Sequence, residues 1–85
     1  MEGMQIEIDL SRLYDGACRL SQLDTCLKKA KEMAEEGNDV ILTGRAPIWL
    51  YLKVAHELHE IAKKLFYRSP VLGSILIFDY DPFLP

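Results

Sequence analysis

The sequence predicts a small α/β (α+β) domain with a ferredoxin-like sheet of four to five strands and two helices on one face. Strand patterns and helix patterns follow each other along the chain, which is typical of this class. Residues 4–10 alternate between apolar and polar side chains, whereas residues 21–36 repeat their apolar side chains with the period of a helix. The last two strand patterns are separated only by a turn.

Length and composition favour one domain that associates with itself. The chain of 85 residues forms a single domain over residues 1–85, and an isolated domain near this size buries only about 60% of its unfolded surface. Its hydrophobic content of 49% is high for so small a protein. We therefore expect a homodimer or higher homo-oligomer in which a second subunit covers the bare face of the sheet.

Charge, cysteine content and hydropathy exclude several classes of protein. The net charge of -3 argues against a general nucleic-acid binder, which needs a basic stripe, but leaves room for a small anionic ligand. Cys18 and Cys26 lack metal-site spacing and are typical of reduced thiols. No apolar stretch reaches spanning length, and a signal-peptide pattern is absent. We predict a cytoplasmic protein that does not bind membranes.

The first half of the chain predicts a strand, a helix and a central strand. The apolar side chains of residues 4–10 should face the core, and residues 17–20 are suited to a short extra strand within an ambiguous segment. Ser21 is predicted to cap the first helix, and Gly37 to end it. Residues 40–42 are apolar on both faces, as in a central strand.

The second half predicts a helix and a hairpin. Pro47 suits the first position of a helix that extends to about Lys64. Residues 65–67 and 74–78 are predicted strands, and the segment between them has Pro and Gly at turn positions. Prolines at positions 82 and 85 are expected to end the regular structure.

The segment between the central strand and the second helix predicts an anion site. Gly44 tolerates turn conformations that other residues avoid, and Arg45 stands beside it. The free N–H groups at the start of the helix at Pro47 favour an anion, and a guanidinium strengthens that preference. Trp49 follows on the helix, where packing is its expected role.

Three side chains farther along the second helix have the chemistry of metal ligands. His56 and His59 are three residues apart and Glu60 follows, so a helix would bring all three to one flank. The spacing differs from the H-E-x-x-H zinc pattern. Histidines at a helix boundary that are satisfied by hydrogen bonds are the alternative interpretation, and both remain open at this point.

The run G-R-A-P-I-W-L at residues 44–50, followed by A-H-x-x-H, resembles a family of small CRISPR-associated accessory proteins of type III systems. That family carries G-R-G-P-I-W-L, A-H-x-x-H and Y-D-P-x-L-G, and the resemblance covers about residues 38–80. It implies a ferredoxin-like dimer that binds cyclic tetra-adenylate between subunits. It also implies ring-nuclease or manganese-dependent ribonuclease activity, with the cyclic messenger or short RNA as substrate.

The resemblance also assigns roles to single residues. His59 matches the catalytic or metal-linked histidine of the family, and His56 matches the other helix histidine. Gly44, Arg45 and Pro47 would hold phosphate. Trp49 would support the helix or contact a base.

Two positions depart from the family pattern. Ser69 is at the ligand-binding position where the family has an aspartate, and Tyr80 is near the position of a further histidine. Asp79 and Asp81 could replace the missing carboxylate as ligands of manganese. Without it, His59 could act as a general base towards a 2′-hydroxyl.

The sequence thus favours a CRISPR-associated protein that binds cyclic oligoadenylate and cleaves it or only sequesters it. Whether the protein is an enzyme remains open at this point, because Ser69 replaces the family carboxylate. The alternatives are a messenger-binding sponge without nuclease activity and a structural or protein-interaction domain.

Overall fold

The computed structural model describes residues 4–79, which form one sheet and two α-helices. The strands are β1 (Gln5–Asp9), β2 (Asp39–Thr43), β3 (Lys64–Ser69) and β4 (Gly73–Asp79). The helices are α1 (Leu23–Ala34) and α2 (Ile48–Leu58), with two short 3-10 helices at Leu10–Leu13 and Leu20–Gln22. This arrangement confirms the predicted α/β class and is consistent with a small ferredoxin-like α+β fold.

The sheet has the strand order β1-β2-β3-β4. The first three strands are parallel, and β4 returns antiparallel to β3 through the predicted hairpin. Each parallel pair is joined by a helix, and the right-handed crossover rule places both helices on one face. The two helices pack against each other there, as predicted. No helix within residues 4–79 has the length and apolarity needed to cross a membrane.

The core lies between the helices and this face of the sheet. β1 contributes Ile8, whose burial confirms the alternation in the sequence. The other fully or almost fully buried side chains come from every layer: Leu10, Leu13, Cys26, Ala30, Ala34, Val40, Leu42, Leu50, Val54, Leu58, Ala62 and Leu65. Met4 begins the same alternating pattern but does not face the core, because its side chain is exposed.

Residues 17–20 form no strand, so the sheet of the described residues has four strands, the lower of the two predicted numbers. The predicted start and end of the first helix are both wrong. Ser21 lies inside the second 3-10 helix, and the cap position of α1 is Gln22, which makes no side-chain capping bond. The chain ends α1 at Glu35, which has a positive φ of 55°, before it reaches Gly37.

Helix α2 is shorter than the sequence predicts, because it ends at Leu58 rather than near Lys64. The chain after it leaves the helical path to bond with the segment before β2. The Ile61 carbonyl accepts from the Gly37 N–H, and the Lys63 N–H donates to the Asn38 carbonyl. These bonds continue the parallel pairing of β2 and β3 into the residues that precede both strands. This pairing ends the helix although the apolar side chains keep the helical period.

The face of the sheet opposite the helices is less apolar than expected. Ile41 at its centre is only 4% exposed, and the register places Glu7 and Phe66 on either side of it. Glu7 Oε2 forms an ion pair of 2.6 Å with Nη1 of Arg68 on the same face. Uncovered apolar side chains lie instead along β4, which is exposed over almost its whole length.

Candidate functional site

The turn before α2 lies at the carboxyl edge of the parallel strands, where open α/β sheets bind ligands. Gly44 follows β2 directly and has a φ of 98°. A Cβ at Gly44 would lie 1.9 Å from Oδ1 of Asp9 at the end of β1. Both the backbone conformation and this close approach therefore require glycine. The sequence predicts the first requirement, and the second arises only in the fold.

Two tyrosines hold the turn through hydrogen bonds to its backbone. The Tyr51 hydroxyl of α2 donates to the Gly44 carbonyl, and the Tyr14 hydroxyl donates to the Arg45 carbonyl at 3.1 Å. Because both carbonyl oxygens are engaged, the turn is fixed before any ligand binds. Sequence analysis missed both tyrosines. No local pattern connects Tyr14 with Arg45, because the two are 31 residues apart.

Pro47 occupies the cap position of α2 and not its first helical position, and it makes no side-chain capping bond. Its carbonyl accepts from the Leu50 N–H at 3.0 Å. The N–H groups of Ile48 and Trp49, which precede this bond in the first helical turn, meet no capping side chain from the cap residue, which leaves them available to an anion. Trp49 is half-buried and packs against the core, so it supports the helix.

Asp9 adds a negative charge to this edge that sequence analysis did not consider. Its Oδ1 accepts from the Ser11 hydroxyl at 2.6 Å and from the Ser11 N–H at 3.0 Å. The hydrogen bond from the Ser11 hydroxyl, followed by that from its N–H, lowers the pKa of Asp9. The Asp-x-Ser spacing after a strand is the signal of this turn. An anionic ligand is therefore expected on the α2 side of Gly44, away from Asp9.

Ser69 ends β3 at the same edge of the sheet. Its Oγ accepts from the N–H groups of Leu72 at 3.1 Å and Val71 at 3.2 Å. Ser69 therefore organises the hairpin turn. A carboxylate at this position has the acceptor atoms for the same two bonds.

The two histidines lie at the opposite edge. The helical rise between Ile48 and His56 is about 12 Å, and His59 follows at the cap position after the last helical residue. The His59 ring meets the Phe78 ring edge-on, with centroids 5.5 Å apart. His56 is exposed.

The predicted metal cluster of His56, His59 and Glu60 does not form within one chain. Glu60 lies in the turn that follows the last residue of α2. Across residues 4–79, no three His, Cys, Asp or Glu side chains are grouped as a metal would require. The described residues of one subunit therefore do not fit a manganese ion.

Asp79 lies near His59 in the fold, since it follows Phe78 on β4. Both are at the edge where the parallel strands begin, which we call the amino edge. Its Oδ2 is 4.0 Å from Lys64 Nζ. Tyr80 and Asp81 lie outside the described residues, as do the prolines at 82 and 85. The residues predicted as one site are thus divided between two edges, with Gly44, Arg45 and Ser69 at one and the histidines at the other.

The turn at Gly44 and Arg45 also borders a cavity of about 560 Å³ beside α2. Ile48 and Tyr51 of the helix contribute to its lining, and Ile77 of β4 faces it from the sheet. We call this cavity the α2–β4 groove.

Comparison with known proteins identifies the family. Residues 20–81 match the family of the CRISPR-associated protein Cas_csx3. No curated protein matches the chain. The family match covers α1, α2 and strands β2 to β4, and includes the turn at Gly44 and both histidines. Because the match extends over most of the length of the chain, the chain belongs to the Cas_csx3 family of CRISPR-associated proteins.

Proposed function

We propose that this CRISPR-associated protein binds a cyclic oligoadenylate, with cyclic tetra-adenylate as the first candidate, at the turn between β2 and α2. The observation that carries the proposal is the geometry of this turn. The Gly44 and Arg45 carbonyl groups accept hydrogen bonds from Tyr51 and Tyr14. The first N–H groups of α2 have no capping side chain. A phosphate accepts hydrogen bonds from such donors and is favoured by the helix dipole.

Arg45 supplies the positive charge for this phosphate. It is exposed, and no carboxylate among residues 4–79 forms an ion pair with it. Arg68 differs, because Glu7 already occupies its guanidinium. A planar guanidinium can donate two hydrogen bonds to one phosphate, so Arg45 suits a phosphodiester ligand.

Cleavage of the bound messenger is the second part of the proposal. With His59 as general base, the imidazole takes the proton of a 2′-hydroxyl, whose oxygen attacks the adjacent phosphorus. The bond to the 5′-oxygen breaks, which opens the ring and leaves a 2′,3′-cyclic phosphate and a 5′-hydroxyl group once that oxygen is protonated. We derive this step from His59 and the 2′-hydroxyl of the messenger, and no part of it passes through a metal ion.

The position of His59 restricts how it can reach the ligand. Arg45 precedes the first turn of α2 and His59 follows its last turn, so the two side chains of one chain are separated by the whole helix. We therefore propose that a homodimer or higher oligomer combines Arg45 of one subunit with His59 of another.

Binding without cleavage is the second candidate. It is favoured by Ser69, which replaces the carboxylate of the related motif and whose hydroxyl oxygen is already used in the hairpin turn. The protein would then sequester the messenger. Chromatography of cyclic tetra-adenylate after incubation distinguishes the candidates, because only cleavage produces linear products.

The test of the binding site is the affinity of Arg45→Ala for cyclic tetra-adenylate. A hydrogen bond to a charged group contributes about 1.5–3 kcal/mol, so we expect the dissociation constant from calorimetry to rise by more than about tenfold. Arg19→Ala is the matched control, since it removes the same charge from an exposed residue. Within the described part of the chain, Arg19 forms a hydrogen bond through its backbone carbonyl but none through its side chain. Equal affinities of wild type and Arg45→Ala would remove Arg45 from the site.

A further inference from the structure

We propose that the α2–β4 groove binds the base of an adenine nucleotide unit whose phosphate is held by Arg45. This inference rests on the proposed function and extends it, because it gives the messenger a second contact surface beside the phosphate-binding turn. Nucleotide ligands combine a flat apolar part with an anionic part. The groove and its mouth offer a partner for each.

The size and lining of the groove suit a small molecule. Its volume of about 560 Å³ lies within the range of about 300–1,000 Å³ that is typical of ligand sites. Three large apolar side chains line it and remain exposed to solvent: Ile48 at 78%, Leu52 at 66% and Ile77 at 52%. A ligand that covers them would gain the free energy of burying apolar surface.

Two aromatic rings give the groove a rigid wall. Tyr51 and Tyr67 meet edge to face, with ring centroids 5.3 Å apart and an interplanar angle of 87°. The hydroxyl of Tyr51 is tied to the Gly44 carbonyl, so its ring is held in place before a ligand arrives. A planar base can stack on such a ring with little loss of side-chain entropy.

The charge of the lining indicates the kind of ligand. Arg45 is the one charged residue among those that line the groove, and they include no carboxylate. An apolar ligand without an anionic group would leave this guanidinium unused. An adenine nucleotide has groups for both parts of this lining. Arg45 lies just before the start of α2, and the apolar residues Ile48 and Leu52 follow along the helix.

The experiment places a carboxylate in the groove with Ile77→Glu. Leu76→Glu is the matched control. Leu76 is the adjacent residue of β4 and is 51% exposed, and it pairs with Phe66, which lies on the face of the sheet opposite the helices. We expect Ile77→Glu to weaken binding of cyclic tetra-adenylate by about ten- to hundredfold, as for the loss of one stacked base. Leu76→Glu should bind as the wild type does. Leu52→Glu is the second groove variant if Ile77→Glu does not fold.

Binding of adenosine monophosphate and of ribose 5-phosphate, followed by nuclear magnetic resonance, separates the base from the phosphate. We expect the monophosphate to shift the Tyr51 and Tyr67 signals in the wild type but not in Ile77→Glu, and ribose 5-phosphate to leave them unchanged. This arm decides the groove proposal even if cyclic tetra-adenylate fails to bind, which would overturn the proposed function alone.

Three results would overturn the groove proposal. The first is that adenosine monophosphate leaves the Tyr51 and Tyr67 signals of the wild type unchanged, or shifts them equally in Ile77→Glu. The second is that the wild type binds cyclic tetra-adenylate and Ile77→Glu binds it equally well. The third is light scattering that shows Ile77→Glu dissociating an oligomer that Leu76→Glu leaves intact, with nucleotide binding by the subunits unchanged. The groove would then be an interface between copies of the chain.

Discussion

Gly44 is the residue on which the geometry of the turn depends most. Its positive φ directs the chain from β2 towards α2, and its missing side chain leaves room for the Asp9 carboxylate. That carboxylate cannot move aside freely, since both of its bonds from Ser11 end on the same oxygen. One glycine therefore joins the ends of β1 and β2 to the start of α2.

We predict that Gly44→Ala destabilises the protein more than Gly37→Ala does. Both residues have a positive φ, which costs a substituted residue about 1–2 kcal/mol. Of the two, the new Cβ overlaps another group at Gly44, whereas no atom of residues 4–79 lies within 4 Å of the corresponding Cβ at Gly37. Overlap of this kind adds about 1–3 kcal/mol. Urea unfolding of both variants measures the difference, and equal losses of stability would contradict the prediction.

At the scale of the elements, some local patterns in the sequence are sufficient to predict the structure and others are not. The hairpin was predicted from Pro70 and Gly73, and the structure confirms the turn between β3 and β4. The length of α2 was overestimated because Ile61 and Ala62 continue its apolar period. Their side chains do pack in or against the core, and their N–H groups still bond to the Leu58 carbonyl. The helix stops because the Ile61 carbonyl accepts from the Gly37 N–H and the Lys63 N–H donates to Asn38.

The sequence predicts the candidate site only where its residues are neighbours in the chain. The turn at Gly44 and Arg45 follows from adjacent residues, whereas Asp9 and Tyr14 reach it through the tertiary fold. The separation of Arg45 from His59 depends on where α2 begins and ends. Helical periodicity places residues on a face but does not by itself bring distant turns of the helix together.

We predict that Ser69→Asp preserves the hairpin and raises any cleavage activity, together with its response to manganese. One carboxylate oxygen can accept the two turn N–H groups that Ser69 Oγ now accepts, and the other oxygen remains available to a metal ion. Ser69→Ala is the control, and it should lose about 1 kcal/mol of stability. Rates are measured by chromatography of cyclic tetra-adenylate with and without manganese. Equal rates for Ser69→Asp and wild type would contradict the prediction.

At the scale of the whole molecule, the sheet separates two kinds of chemistry. The carboxyl edge carries Arg45 and the start of α2, while the amino edge carries His59 beside Phe78. A single chain presents these edges at opposite ends of the helix. A cyclic ligand held between copies of the chain could meet the anion site of one and the imidazole of the other.

We predict that Arg45→Ala and His59→Ala complement each other in a mixed oligomer. In a heterodimer with shared sites, one of the two sites combines the intact Arg45 of one subunit with the intact His59 of the other. Random mixing makes about half of the dimers heterodimers, so about a quarter of the wild-type sites should be restored. The two variants are unfolded and refolded together, and opening of cyclic tetra-adenylate is followed by chromatography. Each variant refolded alone is the control and should be inactive. A mixture that stays inactive, or a wild type that leaves the ring intact, would contradict a cleavage site shared between subunits.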